Sequence, residues 1–149
     1  GEFRVNTTTT GDQIYSRVAM NASGAFVISW TSPDAGGTGV YAQRYDSAGV
    51  APGAEFQVNT FTTGDQNASS IAIDPSGNFI VAWTSAGQDN GTSLGVYAQQ
   101  YDTSGTKIGA EFRVNTTTTG MISARRGARR SRSGETSASC TTTSARASA

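Results

Sequence analysis

The chain repeats itself, and this property limits its fold more than any other. GEFRVNTTTTGDQ opens at Gly1, GAEFQVNTFTTGDQ at Gly53 and GAEFRVNTTTTG at Gly109, so that Glu2, Glu55 and Glu111 stand 53 and then 56 residues apart. Self-similarity at such a period marks one supersecondary unit used repeatedly, in a propeller, solenoid or array. The match continues beyond these strings. Residues 26–32 (FVISWTS) align with 79–85 (FIVAWTS), and 39–46 (GVYAQRYD) with 95–102 (GVYAQQYD). The three extra residues of the second copy fall between those segments, at Gly87-Gln88-Asp89-Asn90-Gly91 against Pro33-Asp34-Ala35-Gly36-Gly37. Length variation of this kind belongs in a surface loop, where it leaves packed elements undisturbed.

Each copy reads as four short strands. In the second copy Ile71 and Ile73 alternate in the first strand, and Phe79, Val81 and Trp83 share one face of the next. Val96 and Ala98 oppose Tyr97, Gln99 and Tyr101, and Phe112 and Val114 oppose Glu111, Arg113 and Asn115. This is period-2 patterning with β-branched and aromatic residues. Asn21-Ala22-Ser23-Gly24, Asp74-Pro75-Ser76-Gly77, Ser47-Ala48-Gly49 and Thr103-Ser104-Gly105 supply turn chemistry between strands. No stretch carries helical spacing of apolar residues. The expected fold is all-β: tandem four-stranded antiparallel units, two β-propeller-like blades of an incomplete propeller, with a β-sandwich as the alternative. Residues 1–13 read as the last strand of a preceding blade plus a connector, 14–66 as the first blade, and 67–120 as the second. Trp30 and Trp83 are expected to pack between blades, and the tyrosines to send their hydroxyls to solvent. Two blades cannot close a ring, so open faces are expected on one side of Phe26, Ile28, Ile80 or Val81. Open edges are expected at residues 2–6 and 110–115, where Phe3-Arg4-Val5 is placed to complete a neighbouring sheet.

Composition separates this body from the residues after Gly120. Through Gly120 there are 5 Lys/Arg against 10 Asp/Glu, whereas beyond it there are 6 Arg against one Glu. The third copy breaks off at Gly120 and continues Met121-Ile122-Ser123-Ala124-Arg125-Arg126. Read one base earlier, the Met-Ile codons can encode Asp-Asp, near the expected Asp-Gln. Glu135-Thr136-Ser137 can likewise encode Gly-Asn-Phe, the string found at Gly77-Asn78-Phe79. Residues 121–149 therefore read as a basic low-complexity tail, disordered or frameshifted; an arm for a polyanion is the other reading. The chain has no His, which removes the commonest general base and metal ligand. Its one cysteine, Cys140, lies in the tail, so no intrachain disulfide forms. No apolar run is long enough to span a membrane as a helix.

The string GAEFQVNTFTTGDQ, followed by a GxFxVxW strand and GVYAQxYD, resembles a repeat of large secreted bacterial proteins. Those proteins often carry haemolysin-type calcium-binding or cadherin-like modules. The resemblance covers residues 1–120. It implies an extracellular or cell-surface setting and a propeller-like repeat. In such repeats the first hairpin often reads Asp-x-Asp-Gly-Asp, where this chain has Asn21-Ala22-Ser23-Gly24-Ala25 and Asp74-Pro75-Ser76-Gly77-Asn78.

Candidate chemistry is confined to oxygen-rich loops. Asp12-Gln13 and Asp65-Gln66 recur at the entrance to each blade, and Asp89-Asn90-Gly91 has the look of a calcium loop. Asp12, Asp65, Asp89 and Asn90 are thus the candidate Ca²⁺ ligands, since calcium takes 6–8 oxygens. The competing reading is that Asp after Gly caps its own turn. No nucleophile–base pair or phosphate loop is present. The function expected is a non-catalytic β-repeat scaffold segment of a large exported bacterial protein, for adhesion or ligand contact. Alternatives are a calcium-dependent binding module and a fragment of a carbohydrate-active enzyme built on paired carboxylates. Expected partners are other repeats of the same parent, a second copy through open blade edges, and a glycan or protein ligand. Neither nucleic acid nor a membrane span is expected.

Overall fold

Turn chemistry sets the framework. In the computed structural model, which describes residues 1–117, one hairpin design is used four times. Asn21, Asp46, Asp74 and Asp102 each accept, at the backbone carbonyl, the N–H of the Gly three residues on, and donate their own N–H to the carbonyl four residues on. Each side-chain Oδ1 takes further N–H groups of the same turn, including that of residue i+4. Gly24, Gly49, Gly77 and Gly105 all have positive φ, between 76° and 99°, which a side chain would resist.

These turns join eight strands, and no helix occurs among the described residues: β1 (Ile14–Met20), β2 (Phe26–Asp34), β3 (Gly37–Tyr45), β4 (Phe56–Gln57), β5 (Gly64–Ile73), β6 (Phe79–Ala86), β7 (Leu94–Tyr101) and β8 (Lys107–Arg113). They form one connected sheet in the order β1-β2-β3-β5-β6-β7-β8, with β4 on β3. All ladders are antiparallel except β3–β5, a two-pair parallel bridge of Gly37 with Gly64 and Thr38 with Asp65. The chain is thus two antiparallel meanders, unit 1 (β1–β4) and unit 2 (β5–β8). Both first strands carry a bulge at the same repeat position. Register slips between Ile14 and Arg17 and between Asn67 and Ser70, and the non-glycines Tyr15 and Ala68 sit at φ 57° and 53°. Residues 1–13 form no ladder.

β5 also runs against β1 and β2, with which it shares no ladder, so the meanders are folded onto each other. In unit 1 the register sets Phe26, Ile28 and Trp30 opposite Tyr45, Gln43 and Tyr41 on one face, and Val27, Ser29 and Thr31 opposite Arg44, Ala42 and Val40 on the other. In unit 2, Phe79, Val81 and Trp83 pair with Tyr101, Gln99 and Tyr97. The aromatic face of unit 2 is buried with the small-residue face of unit 1: Val27, Val40, Ala42, Val58, Phe79, Val81, Trp83, Tyr97 and Tyr101 form one core. Ser29 and Ser69 hydrogen-bond within it at 2.9 Å.

Both tryptophans are buried, but only Trp83 lies in the core between the units; Trp30 is on the opposite face of unit 1, with Phe26 and Ile28. Two other expectations are corrected. Val81 is 0% exposed, because its face is the one unit 1 covers, whereas Phe26, Ile28 and Ile80 are half-buried, in keeping with one open side. The hydroxyl of Tyr97 donates to Asp89 rather than to solvent, and that of Tyr101 reaches the Val58 carbonyl at 3.4 Å. The expectations for the tail, 121–149, lie outside the described residues. No helix among the described residues is long and apolar enough to cross a membrane.

Candidate functional site

The residues that recur most faithfully converge on the joint between the units. Its centre is the segment 55–66. Val58 and Asn59 hold the segment to unit 1: Val58 N–H donates to the Val40 carbonyl at 2.8 Å, and Asn59 Oδ1 accepts from Val40 N–H at 2.8 Å. The other half of the Asn59 amide faces forward. Its Nδ2 donates to the Phe61 carbonyl at 2.8 Å and to Gln66 Oε1 at 3.2 Å, and Gln66 Nε2 donates to the Thr63 carbonyl at 3.0 Å. Both amides are buried, so these bonds replace water they cannot reach. Phe56, still in unit 1's sheet, inserts its ring beside Phe79 and Tyr101 of unit 2, with centroids 6.5 and 5.4 Å away. One segment therefore serves two units.

The glutamate of the second and third repeat strings acts as a staple to the segment before its unit. Glu55 Oε2 accepts Thr7 N–H at 2.7 Å, and its Oε1 accepts the Thr8 hydroxyl at 2.9 Å. One repeat later Glu111 Oε2 accepts Thr60 N–H at 2.7 Å, and its Oε1 accepts Gln88 Nε2 at 2.6 Å. Each carboxylate thus reaches back to the Asn-Thr connector of the preceding copy. Burial alone pushes both carboxyls up, but the donated hydrogen bonds outweigh it and hold Glu55 and Glu111 below the ordinary glutamate value.

Two further repeated residues support the strands around the joint. Gln43 Nε2 donates to the Gly53 carbonyl at 2.9 Å, and Gln99 Nε2 to the carbonyls of Ile108 and Gly109 at 3.3 and 3.2 Å. Gln43 fills the approach to β4, and Gln99 the place where the β7–β8 register slips. Asp34 and Asp89 occupy equivalent places despite the unequal loops. Asp34 Oδ2 accepts Gln57 Nε2 at 3.0 Å. Asp89 accepts the Tyr97 hydroxyl and pairs with Arg113 at 3.5 Å. A Cβ on Gly39 or Gly95 would lie 2.8 Å from the respective carboxylate oxygen, which explains the glycine of GVYAQ. Burial first, then the bond to Asp89, pushes the Tyr97 hydroxyl up to about 12.

The candidate calcium ligands are dispersed among these roles. Asp12 and Asp65 are exposed, and Asp65 Oδ1 accepts the Thr38 hydroxyl at 3.2 Å beside the parallel bridge. Asp89 belongs to the Tyr97–Arg113 group. Asn90 Oδ1 accepts Thr92 and Ser93 N–H at 3.1 and 2.9 Å, closing its own loop. Among the described residues no three of His, Cys, Asp and Glu gather as a metal-binding group. Sequence reasoning named the aspartates and, at the blade entrance, Gln66, but gave no role to Asn59, Gln43 or the glutamates. Their signal was present in the identical spacing of Asn6, Asn59 and Asn115 relative to Glu2, Glu55 and Glu111.

Two grooves lie away from the joint. A groove of about 460 Å³ on unit 1 is lined by Phe3, Val5, Asn6, Val18, Ile28 and Trp30, among others. One of about 430 Å³ on unit 2 includes Ile80, Gln100 and Ile108. No protein-family model matches the chain, and no curated protein or solved structure is significantly similar to it.

Proposed function

We propose that the chain is a non-catalytic β-repeat scaffold, a run of propeller-like blades from a large exported bacterial protein, presenting a rigid surface for adhesion or ligand contact. The observation that carries this reading is the joint. Asn59, bonded to Val40 and Gln66, and Glu111, bonded to Thr60, hold one unit to the next, while Glu55, Asp34 and Asp89 accept hydrogen bonds from donors of the N-terminal segment or of their own unit. A glycosidase would need a carboxylate pair free to act on a substrate. Two four-stranded antiparallel meanders packed face to face, each completed next to its neighbour, also support blades over isolated hairpins. The cysteine-free repeat body suits an oxidising exterior.

The experiment is to concatenate residues 14–66 into chains of two, four and six copies. A scaffold of interacting repeats gains stability with each added joint, so the melting temperature should rise with copy number and unfolding should stay cooperative. Copy-independent melting would refute the scaffold reading. Adding calcium to about 1 mM should leave the curve in place; a rise would favour the calcium-dependent module instead.

A further inference from the structure

The same side chains differ in exposure according to whether a unit lies beyond them. Val40 and Val58, on the side of unit 1 that meets unit 2, are both 0% exposed, whereas their counterparts on unit 2, Val96 and Val114, are 40% and 52% exposed. Phe56 packs on Phe79 and Tyr101, while its counterpart Phe112 is exposed. At the other end Ile71 and Ile73 pack against the core, and their counterparts Val18 and Met20 are exposed. The two open faces are therefore the two halves of the joint that is already mated once inside the molecule.

One segment is in excess. The internal joint holds a single Glu-Phe-x-Val-Asn-Thr segment, but two open faces brought together contribute two, residues 2–8 and 111–117, which are identical (EFRVNTT). They are held differently. Residues 111–113 lie in β8 on β7, Val114 N–H donates to the Val96 carbonyl at 2.7 Å, and Asn115 Oδ1 accepts Val96 N–H at 2.7 Å. Residues 2–8 form no ladder, and rest on unit 1 through Phe3 beside Tyr45 and Thr7 and Thr8 on Glu55.

We propose that a second copy of this chain docks end to end, its residues 111–117 displacing residues 2–8 from the open face of unit 1. Phe112 of the incoming copy takes the place of Phe3 against Tyr45 and Phe26, as Phe56 does against Tyr101 and Phe79. The incoming Thr116 N–H reaches Glu55, as Thr60 reaches Glu111. Because the two faces differ, the contact is heterologous and repeats from copy to copy. The inference rests on the scaffold reading for the identity of the joint, but concerns association between separate chains.

Sedimentation velocity of the full chain over a concentration series tests it. The intact chain should show species larger than a dimer. Removing residues 1–8 should tighten association by about tenfold or more, because the competing segment is gone. Phe112→Ser should weaken it by a similar factor while leaving the melting temperature of the monomer unchanged, since Phe112 is already exposed. If the shortened chain fails to fold, the Phe112→Ser comparison decides alone. A strict monomer at all concentrations, a dimer that grows no further, or association indifferent to Phe112→Ser would overturn the proposal. Concatemers that gain stability while separate chains stay apart would defeat only this inference and leave the scaffold reading standing.

Discussion

Ala68 holds φ at 53° inside the β5 bulge, a region that costs a residue with a Cβ about 1–2 kcal/mol. Glycine there removes that cost but adds freedom to the unfolded chain. Ala68→Gly should therefore stabilise by about 0.5–1 kcal/mol net, read as a higher denaturant midpoint with an unchanged slope. Asn59 is the opposite case. Replacing it by Ala strands the Val40 N–H and Gln66 Oε1 in a buried site, at about 1–3 kcal/mol for each group left unpaired. Asn59→Asp should not rescue the loss, because a carboxylate keeps the acceptor for Val40 but offers no donor to Phe61 or Gln66. Equal stability of the Asp variant and the parent would show that the amide's donor half is idle. These residues also mark what was legible. The four glycine turns announced themselves, because their partners lie within five residues, although the parts of Asp46 and Asp102 in two of them were not read. The role of Asn59 depends on Val40, nineteen residues back, a distance that no local pattern spans.

At the scale of elements, alternation and turn signals place β1–β3 and β6–β8, whereas the start of β5, the shortness of β4 and the absence of a strand in residues 1–13 depend on distant partners. β5 starts at Gly64, within the string that repeats, because Gly64 and Asp65 bridge to Gly37 and Thr38. The glycine pair at the β2–β3 turn permits this contact: a Cβ on Gly36 would lie 1.9 Å from the Thr62 carbonyl oxygen. Gly36→Ala should accordingly cost about 1–3 kcal/mol through forced displacement of the connector. The loss should appear as faster amide exchange of Gly64, whose N–H donates to the Gly36 carbonyl. Unchanged protection at Gly64 would mean that the connector absorbs the methyl freely. The bridge also explains why Asp65 looked like a ligand. A carboxylate after glycine at a strand entrance has the same spelling whether it serves a cation or a threonine hydroxyl across a joint.

For the whole molecule, acid is the natural probe of how the units are held. Glu55 and Glu111 titrate below their ordinary value in the folded chain. Their contribution is therefore complete above about pH 4.5, the unfolded value, and is lost as pH falls through the depressed folded values. Asp74 and Asp102 are depressed too, first by the side-chain bonds from Asn78 and Ser104 respectively, so the turns loosen in the same range. Melting temperature should fall as pH is lowered from 6 to about 3. Glu111→Gln should lower it at pH 6 and make the remaining decline shallower. A variant with the parent's full pH dependence would remove the staple from the account. The all-β character of the molecule was legible from the sequence. That an aromatic face meets a small-residue face was not, because alternation along a strand separates two faces without saying which one finds a partner.

The segment 55–66 starts on unit 1 at Phe56 and Gln57 and ends in unit 2 at Gly64–Gln66, with Phe56 reaching forward and Gly64 and Asp65 bridging back, so no point along the repeat separates two independent folding bodies. A duplication or deletion of one full period regenerates an intact joint wherever its breakpoints fall, since the residues on either side of the break are again those of a complete repeat. A break inside the joint segment at any other length leaves a glutamate without its threonine, or an asparagine without its glutamine, whereas the three extra residues of the second copy, set in a loop, leave both glutamate contacts in place. Length in such an array can therefore drift in whole steps of the repeat or by a few residues in its loops, and recombination needs no special boundary to keep it folded.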